Sequence, residues 1–390
     1  MKQIKTVAML GSFPPLRALS GYCLELAMAV AKLNNVLFIS FKKIYPAFLY
    51  PGKELSDDHT FPEISCKNLD VKRRLTWYNP FSWISEGLFT KGDLLHAQWW
   101  SMPLFPIYFC IFAGYRLRGK PVVITVHNLL PHNPSCLFVY VSRLLFKLGN
   151  HFIVHTELNL HQMCKIYRIP ENRVSLIPHG PLDFHINQTV DRDAARSEMG
   201  FKQNEKIILL FGAIRPYKGI DTALKAFSKV KDKIPEARLL IAGKLWESWE
   251  PYQRLIKDLK IESYVSTHLD YIPAGDVHKF FCVSDLVILP YHKFDSQSGV
   301  GATALSFQKP MIVTDVGGLP CLIKDKRFVV PENNDTALAE AVINCLEDPA
   351  LLEKMSRASR EIAKNLAWPD IAEKTLAVYK KVGLQLTVKR

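Results

Sequence analysis

The sequence lacks the signatures of several common protein classes. Its eight cysteines form no CxxC pair and no zinc-knuckle spacing, which disfavours a disulfide framework and a zinc site. No GxxxxGK[ST], GxSxG or GxGxxG motif occurs, which excludes a P-loop hydrolase, an ordinary α/β-hydrolase and a dinucleotide fingerprint. The most apolar stretch, residues 102–115, contains two prolines and is shorter than the ~20 residues that span a bilayer.

The N-terminal segment predicts a strand rather than a signal peptide. Its apolar run ends at Gly11 and continues into Phe13-Pro14-Pro15 instead of a small-residue cleavage site. Scattered cysteines inside apolar runs favour a reducing compartment. The sequence therefore predicts a cytoplasmic protein, and a peripheral position on the inner face of the cell membrane is left open.

Length and charge limit the class further. A chain of 390 residues exceeds what one hydrophobic core usually organises, so two domains are expected. The net charge of +13 is uneven, because residues 1–185 carry 20 basic and 11 acidic side chains, a net +9. A basic first half predicts an acidic partner, such as a phosphorylated substrate or an anionic membrane. The charge would also permit nucleic-acid binding, but no reader motif supports it, and we expect no nucleic-acid partner.

Short apolar runs alternate with amphipathic segments along the whole chain. Continuous rather than alternating apolar runs favour strands buried on both faces, as in parallel sheets. Polar, aperiodic residues 181–205 interrupt the alternation and predict a linker. The predicted strands are Thr6–Leu10, Val36–Ser40, Leu94–Ala97, Val122–Val126, Phe152–His155 and Val174–Ile177 before the linker, and Ile207–Phe211, Leu239–Ala242, Val265–His268, Leu286–Leu289 and Met311–Thr314 after it.

This organisation predicts an α/β protein with two doubly wound Rossmann-like domains facing a central cleft. The expected boundaries are 1–185 for the first domain and 186–365 for the second. Residues 366–390 are expected to form a helix that crosses back to the first domain.

Three strand-end loops of the second half carry candidate site residues. Gly212 to Gly219 follows a strand and contains Arg215 and Lys218, cations suited to a diphosphate. Alone, such cations are more often a solvated surface. What favours a site is that three successive strands end in loops of this kind at one edge of a sheet.

The second and third loops have simple structural explanations when taken alone. Ser298, Gly299 and Val300 would present backbone N–H groups at a helix N-terminus, although Ser298 could be only a helix cap. Asp315-Val-Gly-Gly-Leu-Pro320 is most simply a tight turn.

Histidines follow several strands of the first half. His127 is followed directly by Asn128, and His96, His155 and His179 stand at other strand ends. A lone histidine is usually structural, but the shared strand-end position makes His127 a candidate for substrate contact. The loop from Gly11 to Gly21 lies at the corresponding edge. Asp191-Arg-Asp193 is a DxD triplet, but it lies in the predicted linker, so no metal site is expected.

Taken together, these residues resemble the retaining family 4 glycosyltransferases of the GT-B fold, with a first half similar to a bacterial surface-polysaccharide branch. The similarity runs nearly end to end. It rests on Gly212–Gly219, Tyr271-Ile-Pro273, Ser284–Pro290, Ser298–Pro310, Thr314–Gly318, Trp99-Trp100 and Thr125–Asn128.

The resemblance implies transfer of a sugar from a nucleotide diphosphate donor to an acceptor hydroxyl, without metal or cofactor. It implies that Arg215 and Lys218 neutralise charge on the leaving diphosphate, and that His127 lies near the sugar. Residues 1–185 would bind the acceptor and residues 186–365 the donor. The donor-binding residues it implies are Gly21, Gly212, Ile272, Asp295, Ser298, Gly299, Val300 and Thr303.

The chain departs from the family pattern at two places. Asp295 and Thr303 stand where the family often has paired glutamates, and Ala213 stands where an arginine is usual. Two other functions therefore stay open: a GT-B nucleotide-sugar epimerase, and a catalytically silent nucleotide-sugar-binding subunit. The expected partners are a nucleotide sugar and a saccharide or polyprenyl-linked saccharide acceptor, and an anionic membrane surface is left open as a further partner.

The membrane expectation rests on basic residues that interrupt apolar stretches. These are Phe41-Lys-Lys-Ile-Tyr45, Lys72-Arg-Arg-Leu-Thr-Trp77, and Arg143 with Lys147 beside Leu144, Leu145 and Phe146. An ordinary buried helix with a basic outer face would give the same pattern for the last of these.

Overall fold

The computed structural model describes residues 4–46, 57–129, 136–186 and 190–388. The chain forms two compact units. Unit 1 comprises Met1–Gly180 together with Leu366–Arg390, and unit 2 comprises Pro181–Asn365.

Unit 1 is built on a parallel sheet of seven strands in the order 3-2-1-4-5-6-7. Every residue of the fourth and fifth strands is buried, which explains why these segments are continuous apolar runs rather than alternating ones. The strands are β1 (Thr6–Leu10), β2 (Asn35–Lys43), β3 (Leu69–Thr76), β4 (Leu94–Trp99), β5 (Val122–Val126), β6 (His151–Val154) and β7 (Val174–Leu176).

Five helices connect these strands. Side-chain caps begin two of them, because Asn79 accepts the N–H of Phe81 and Thr156 accepts the N–H of Asn159. The helices are α1 (Ser20–Ala31), α2 (Pro80–Phe89), α3 (Phe105–Leu117), α4 (Cys136–Phe146) and α5 (Glu157–Tyr167).

Unit 2 contains a six-stranded parallel sheet in the order 10-9-8-11-12-13. Its strands are β8 (Lys206–Phe211), β9 (Ala237–Ala242), β10 (Val265–His268), β11 (Leu286–Leu289), β12 (Met311–Thr314) and β13 (Val329–Val330). Its helices are α6 (Arg192–Glu198), α7 (Ile220–Lys233), α8 (Glu250–Asp258), α9 (Val277–Val283), α10 (Gly299–Ser306), α11 (Asp335–Glu347) and α12 (Pro349–Asn365). The chain then returns to unit 1 in α13 (Trp368–Val388), which packs on α1.

The strand order of both sheets changes direction at one point. In unit 1, β1 lies between β2 and β4, and in unit 2, β8 lies between β9 and β11. Ligands of such sheets bind outside the carboxyl ends of the strands at this point. The strand order therefore predicts ligand sites at the loops that follow β1, β4, β8 and β11.

The predicted fold class, two doubly wound Rossmann-like sheets, is confirmed, but two strands were not predicted. Strand β3 lies at the sheet edge and reads Leu-Asp-Val-Lys-Arg-Arg-Leu-Thr, so its exposed positions carry charge and no continuous apolar run marks it. Strand β13 has only two residues. Neither pattern is strong enough to be recognised without its pairing partner.

The linker predicted over residues 181–205 is not aperiodic throughout. Helix α6 lies within it, and Asp191 caps this helix by accepting the N–H of Asp193 at 2.9 Å. Arg196 of this helix is buried and pairs with Asp285 at 2.8 Å. The polar residues that suggested a linker are therefore a helix cap and a buried ion pair.

Within the described ranges, no helix has both the length and the apolar character needed to cross a membrane.

Candidate functional site

Three loops that follow β8, β11 and β12 pack against one another in unit 2. Gly219 has φ +69°, and a Cβ added there would lie 1.8 Å from the Pro290 carbonyl oxygen. The N–H of His292 donates to the Tyr217 carbonyl at 2.8 Å, and the N–H of Gly318 donates to the Ser296 carbonyl at 2.9 Å. Backbone contacts thus join the three sequence-predicted loops.

Lys218 is the most deeply buried cation of these loops, with 6% of its surface exposed. Its Nζ lies 2.5 Å from Oη of Tyr291 and 4.1 Å from the centre of that ring. Burial, followed by repulsion from Arg215, lowers the pKa of Lys218 to about 7. An anion that approached this ammonium would replace the lost hydration and favour its charged form.

Arg215 stacks on Trp246. Its guanidinium carbon lies 3.5 Å from the centre of the indole ring. The stack is possible because the loop after β8 pairs with the loop after β9 through an isolated bridge between Ile214 and Leu245. Arg215 is held in this way on the same loop as Lys218.

Ser298 begins helix α10. Its Oγ accepts the Gly301 N–H at 3.2 Å and lies 3.1 Å from Tyr291 Oη. A Cβ added to Gly299 would meet no atom within 4 Å, so the backbone there is open to approach. A buried lysine and an open helix N-terminus are therefore linked through one tyrosine, and both favour negative charge.

Gly212 belongs to the same cluster. A Cβ added there would lie 2.9 Å from Cγ2 of Val300 and 3.6 Å from Nζ of Lys218. The structure thus brings together four of the sequence-predicted residues: Gly212, Lys218, Ser298 and Val300.

The other predicted donor residues of unit 2 occupy different positions. Thr303 is buried, and its hydroxyl donates to the Gly299 carbonyl at 2.9 Å within α10. Asp295 is half-buried in the loop after β11, where its backbone N would lie 3.1 Å from a Cβ on Gly317. Ile272 follows β10, which is separated from β8 by β9.

In unit 1, His127 is buried beside two other polar side chains. Its Nε2 lies 2.9 Å from the side-chain amide of Gln98, and its Nδ1 lies 3.3 Å from Nε2 of His155. His155 donates through Nδ1 to the Ile177 carbonyl at 2.8 Å, so its Nε2 is an acceptor. A neutral His127 has one N–H, so it donates either from Nε2 to Gln98 Oε1 or from Nδ1 to His155 Nε2.

The four histidines that the sequence placed at strand ends form one buried group, here called the histidine cluster, although His96 lies within β4: His96, His127, His155 and His179. Tyr22 of α1 lies against three of them, with ring centres 4.7 Å from His127, 5.4 Å from His155 and 4.8 Å from His179. Gly21 precedes Tyr22 in the same helix.

Burial keeps the histidine cluster neutral. It lowers the pKa of His96 and of His155 to about 3 and that of His179 to about 4, and it holds the pKa of His127 well below its usual range. Neighbouring histidines add repulsion to the charged forms of His96, His127 and His155.

Sequence reasoning missed three residues that hold the predicted ones. Tyr291 bonds to Lys218, Trp246 stacks on Arg215, and Gln98 bonds to His127. Tyr291 stands at the start of a loop that sequence reasoning had singled out, so its position was a usable signal. Trp246 carried no such signal, because its contact depends on the pairing of two loops.

In the ranges that the structure covers, no three His, Cys, Asp or Glu side chains are grouped so that they could hold a metal ion. Lys218 brings positive charge close to the N-terminus of α10 through Tyr291, and Arg215 lies near enough to Lys218 to lower its pKa. This combination suits a diphosphate-like anion.

Comparisons with known proteins match segments of both units to glycosyltransferase families. Residues 191–362 match the family described as glycosyl transferases group 1, and residues 22–181 match glycosyltransferase family 4. The D-inositol 3-phosphate glycosyltransferase of Mycobacterium marinum is 26% identical over 309 residues, which cover 74% of this chain and 63% of that protein. The chain thus aligns with less than two thirds of that relative's length.

Solved structures show the same fold. Sucrose-phosphate synthase from Thermosynechococcus elongatus superposes with a TM-score of 0.75 at 17% identity, covering 98% of this chain and 100% of that one. Anabaena HepE in complex with UDP and glucose gives 0.73 at 15% identity, covering 97% and 100%. The glycosyltransferase WaaG gives 0.64 at 15% identity, covering 95% and 98%.

The two family matches lie side by side and together take in most of both units. The chain belongs to glycosyltransferase family 4 and has the GT-B fold.

Proposed function

We propose that this protein transfers a sugar from a nucleotide diphosphate donor to an acceptor hydroxyl with retention of the anomeric configuration. The observation that carries this proposal is Lys218, a buried ammonium linked through Tyr291 to the open N-terminus of α10. When the bond between the sugar and the diphosphate breaks, the electron pair leaves with the diphosphate. A fixed ammonium at this oxygen stabilises the developing charge more in the transition state than in the ground state.

The division of roles follows from the two units. We assign the donor to unit 2, with Arg215 and Lys218 as catalytic residues, and the acceptor to unit 1. The donor-binding residues are Gly212, Ile272, Asp295, Ser298, Gly299, Val300 and Thr303, together with Gly21 of unit 1. His127 contributes to catalysis from unit 1, and because it is buried between Gln98, His155 and Tyr22, we propose that its place is fixed before substrate arrives.

We propose a uridine diphosphate sugar as the donor. Support comes from Anabaena HepE, which was solved with UDP and glucose and with UDP-glucose, and from Staphylococcus aureus TarM, which was solved with UDP. The acceptor is a saccharide or a polyprenyl-linked saccharide in polysaccharide or glycolipid assembly, at the inner face of the cell membrane. WaaG, a relative in fold, takes part in lipopolysaccharide biosynthesis.

A panel of nucleotide sugars, assayed with and without lipid-linked saccharide, tests the proposal. We expect nucleotide release that depends on the acceptor and a product with the donor's anomeric configuration. Isomerised sugar formed without acceptor would instead identify an epimerase. Nucleotide-sugar binding without turnover would identify a silent binding subunit.

Activity should persist in excess EDTA. Lys218 and Arg215 supply the positive charge at the proposed diphosphate site, while Asp191 of the DxD triplet caps α6. We expect less than a twofold change in turnover when EDTA is compared with magnesium in the same assay. Complete loss on chelation, restored by magnesium or manganese, would assign the charge to a metal ion and contradict the prediction.

The segments that were expected to meet a membrane bury most of their apolar residues, although Trp77 is 37% exposed. Phe41 and Ile44 are buried in the core of unit 1, and so are Leu145 and Phe146. Their lysines and arginines remain at the surface, but the apolar half of the expected pattern packs inward. That part of the expectation was wrong, because hydrophobic periodicity does not distinguish a core helix from an interfacial one.

Helices α2, α3 and α4 expose other large apolar side chains, which we call the aromatic face. The most exposed are Phe81 at 81%, Phe89 at 76% and Leu117 at 81%. The face also contains Ile84, Phe109, Leu137 and Tyr140.

The three helices that carry the aromatic face expose charge of one sign only. The three helices contain one acidic residue, Glu86, which is buried and bonded to Thr90. Residues 101–150 contain five basic side chains and no acidic one. Exposed aromatic side chains among cations, without exposed carboxylates, fit the surface of an anionic bilayer. We propose that unit 1 docks there through this face.

Liposome co-sedimentation tests the docking. We expect binding to vesicles that contain anionic lipid, little binding to neutral vesicles, and weakening by salt, because each basic residue near the surface contributes about 1 kcal/mol. Changing Phe81 and Phe89 together to serine should reduce binding at least fivefold.

The matched control is Leu384→Ser, which removes an exposed apolar side chain from α13 instead. Two results would contradict docking through the aromatic face: equal binding to neutral and anionic vesicles, or a loss of vesicle binding in the control as large as in the Phe81 and Phe89 variant. Either result would favour a water-soluble acceptor.

A further inference from the structure

One side chain, Tyr291, lies between the two groups that the proposed function assigns to the diphosphate. Its Oη is 2.5 Å from Lys218 Nζ and 3.1 Å from Ser298 Oγ. The Tyr291 ring is buried, and the Thr314 hydroxyl holds the backbone of Tyr291 by donating to its carbonyl at 2.7 Å. Tyr291 is therefore held from two sides in a position to connect a lysine and a serine that are 80 residues apart in the chain.

The donor and acceptor properties of the three groups decide which atom donates in each hydrogen bond between Lys218, Tyr291 and Ser298. An ammonium can only donate, so Tyr291 Oη accepts from Lys218 and has its own hydrogen left for Ser298. Ser298 Oγ also accepts the N–H of Gly301 at 3.2 Å. A serine oxygen has two acceptor positions, and both are then occupied. The hydroxyl hydrogen of Ser298 is left to donate away from the cluster.

From this geometry we propose that Tyr291 is a positioning residue for donor binding, which holds the Lys218 ammonium and turns the Ser298 hydroxyl hydrogen toward the same anionic ligand. The ligand is the diphosphate of a nucleotide, so the inference rests on the proposed function and deepens it. Tyr291 does not itself touch the ligand in this arrangement. It acts by setting the direction of two donors.

The direction of these hydrogen bonds depends on whether Lys218 is charged. A neutral amine has a lone pair that can accept from Tyr291, whose oxygen is then free to accept from Ser298. The serine hydrogen would turn inward, and the ligand would lose a cation and a hydroxyl donor together. The proposal therefore predicts that diphosphate affinity falls as pH rises through the ionisation of Lys218.

The ionisable groups around Lys218 come from several elements. On its own loop, Arg215 opposes its charge and Tyr217 presents its ring centre 5.5 Å away. From the loop after β11 come Tyr291 and then His292, which lies 3.2 Å from Asp221 of α7. Tyr291 is the group of this set bonded to Lys218 Nζ, and burial raises its own pKa far above the working range.

The test compares the wild type with Tyr291→Phe, which keeps the ring and removes Oη. UDP affinity is measured by calorimetry from pH 6 to 9. At pH 6 we expect about tenfold weaker binding in the variant, the usual size for one lost hydrogen bond to a charged group. We also expect its affinity to fall at a lower pH, because the ammonium has lost an acceptor that favoured its charged form.

A second variant removes the other end of the connection. Ser298→Gly deletes the hydroxyl but leaves a residue that is accepted as a helix cap. If Tyr291 and Ser298 act through one chain of hydrogen bonds, the variant with both substitutions should bind UDP about as weakly as whichever single variant has the lower UDP affinity. Full additivity of the two losses would overturn the proposal.

Tyr264→Phe is the matched control. Tyr264 also has two cations over its ring, Lys231 and Arg238. It directly precedes β10, however, and so lies at the amino ends of the strands, away from the carboxyl ends that Lys218 follows. We expect unchanged UDP binding in this variant. Thermal unfolding of all variants shows whether the fold is retained.

Two results would overturn the role of Tyr291. One is unchanged affinity and pH dependence in Tyr291→Phe. The other is a uniform loss of affinity without a shift in pH dependence, which would indicate a structural role alone.

Failure of the proposed function gives a different result. If the folded wild type binds none of UDP, ADP and GDP, the donor assignment fails. The positioning role is then decided in the ligand-free protein, by NMR titration of 13C-labelled lysine assigned with Lys218→Met. An unchanged Lys218 ionisation in Tyr291→Phe would overturn it.

Discussion

Replacing Lys218 by alanine is expected to lower turnover by about a hundredfold or more, the size seen when one preorganised donor to a developing anion is lost. The ammonium is buried and held by Tyr291, so it needs little reorganisation when charge develops on the leaving diphosphate. Alanine removes the charge and leaves water or empty space in its place. The measurement is nucleotide release with saturating donor and acceptor.

The matched control is Lys229→Ala, an exposed lysine of α7 that pairs with Asp335 at 2.6 Å. Its removal should leave turnover within a factor of two. Circular dichroism and thermal unfolding establish that both variants keep the fold. Unaltered kinetics in Lys218→Ala would remove this residue from the catalytic site and leave Arg215 as the candidate cation.

Acid should destabilise unit 1 strongly between pH 6.5 and 4. The four residues of the histidine cluster have folded-state pKa values below those of an unfolded chain, near 6.5. In this interval the unfolded chain binds protons that the folded unit does not, so the free energy of unfolding decreases as pH falls. From about pH 8 upward the cluster is neutral in both states and contributes no pH dependence.

The expected effect is large because four groups titrate together. Each contributes about 1.4 kcal/mol per pH unit below 6.5, so at pH 5 the cluster can remove on the order of 8 kcal/mol. That is comparable with the whole stability of a typical domain, about 5–15 kcal/mol. Calorimetric unfolding at pH 5, 6, 7 and 8 measures it, and hydrogen exchange assigns the acid-sensitive transition to a unit.

Two substitutions make this prediction specific. His155→Gln should reduce the pH slope by the contribution of one proton, whereas His161→Gln, at an exposed position of α5, should leave it unchanged. A transition temperature that stays constant from pH 7 to 5, or an acid-sensitive transition located in unit 2, would contradict the role of the cluster.

The loop sites were predictable because their signals are local. A buried apolar run, then a glycine turn, then the start of a helix marks a strand end whatever surrounds it. That pattern identified the loop of Lys218 and the loop of Ser298 from neighbouring residues alone. Parallel strands place their carboxyl ends at one edge, so the sequence also predicted that these loops share one edge of the sheet.

What these side chains do to one another was decided only by the tertiary structure. Tyr291 and Lys218 are 73 residues apart, and Trp246 and Arg215 are 31 apart. No periodicity connects such pairs, because each contact depends on how two loops from different strands pack. The lowered pKa of Lys218 has the same origin, since it results from burial and from a neighbouring charge rather than from residue type.

The exposure of apolar residues was likewise determined partly by the sequence and partly by the tertiary structure. The sequence by itself determined that residues 41–45 and 143–147 combine cations with apolar side chains, and that continuous apolar runs such as Val122–Val126 form buried strands. Only the tertiary structure decided that Phe41 and Phe146 are buried while Phe81 and Phe89 face solvent. Composition and spacing fix the hydrophobicity of a segment, but whether its apolar side meets a core or water depends on which other elements pack against it.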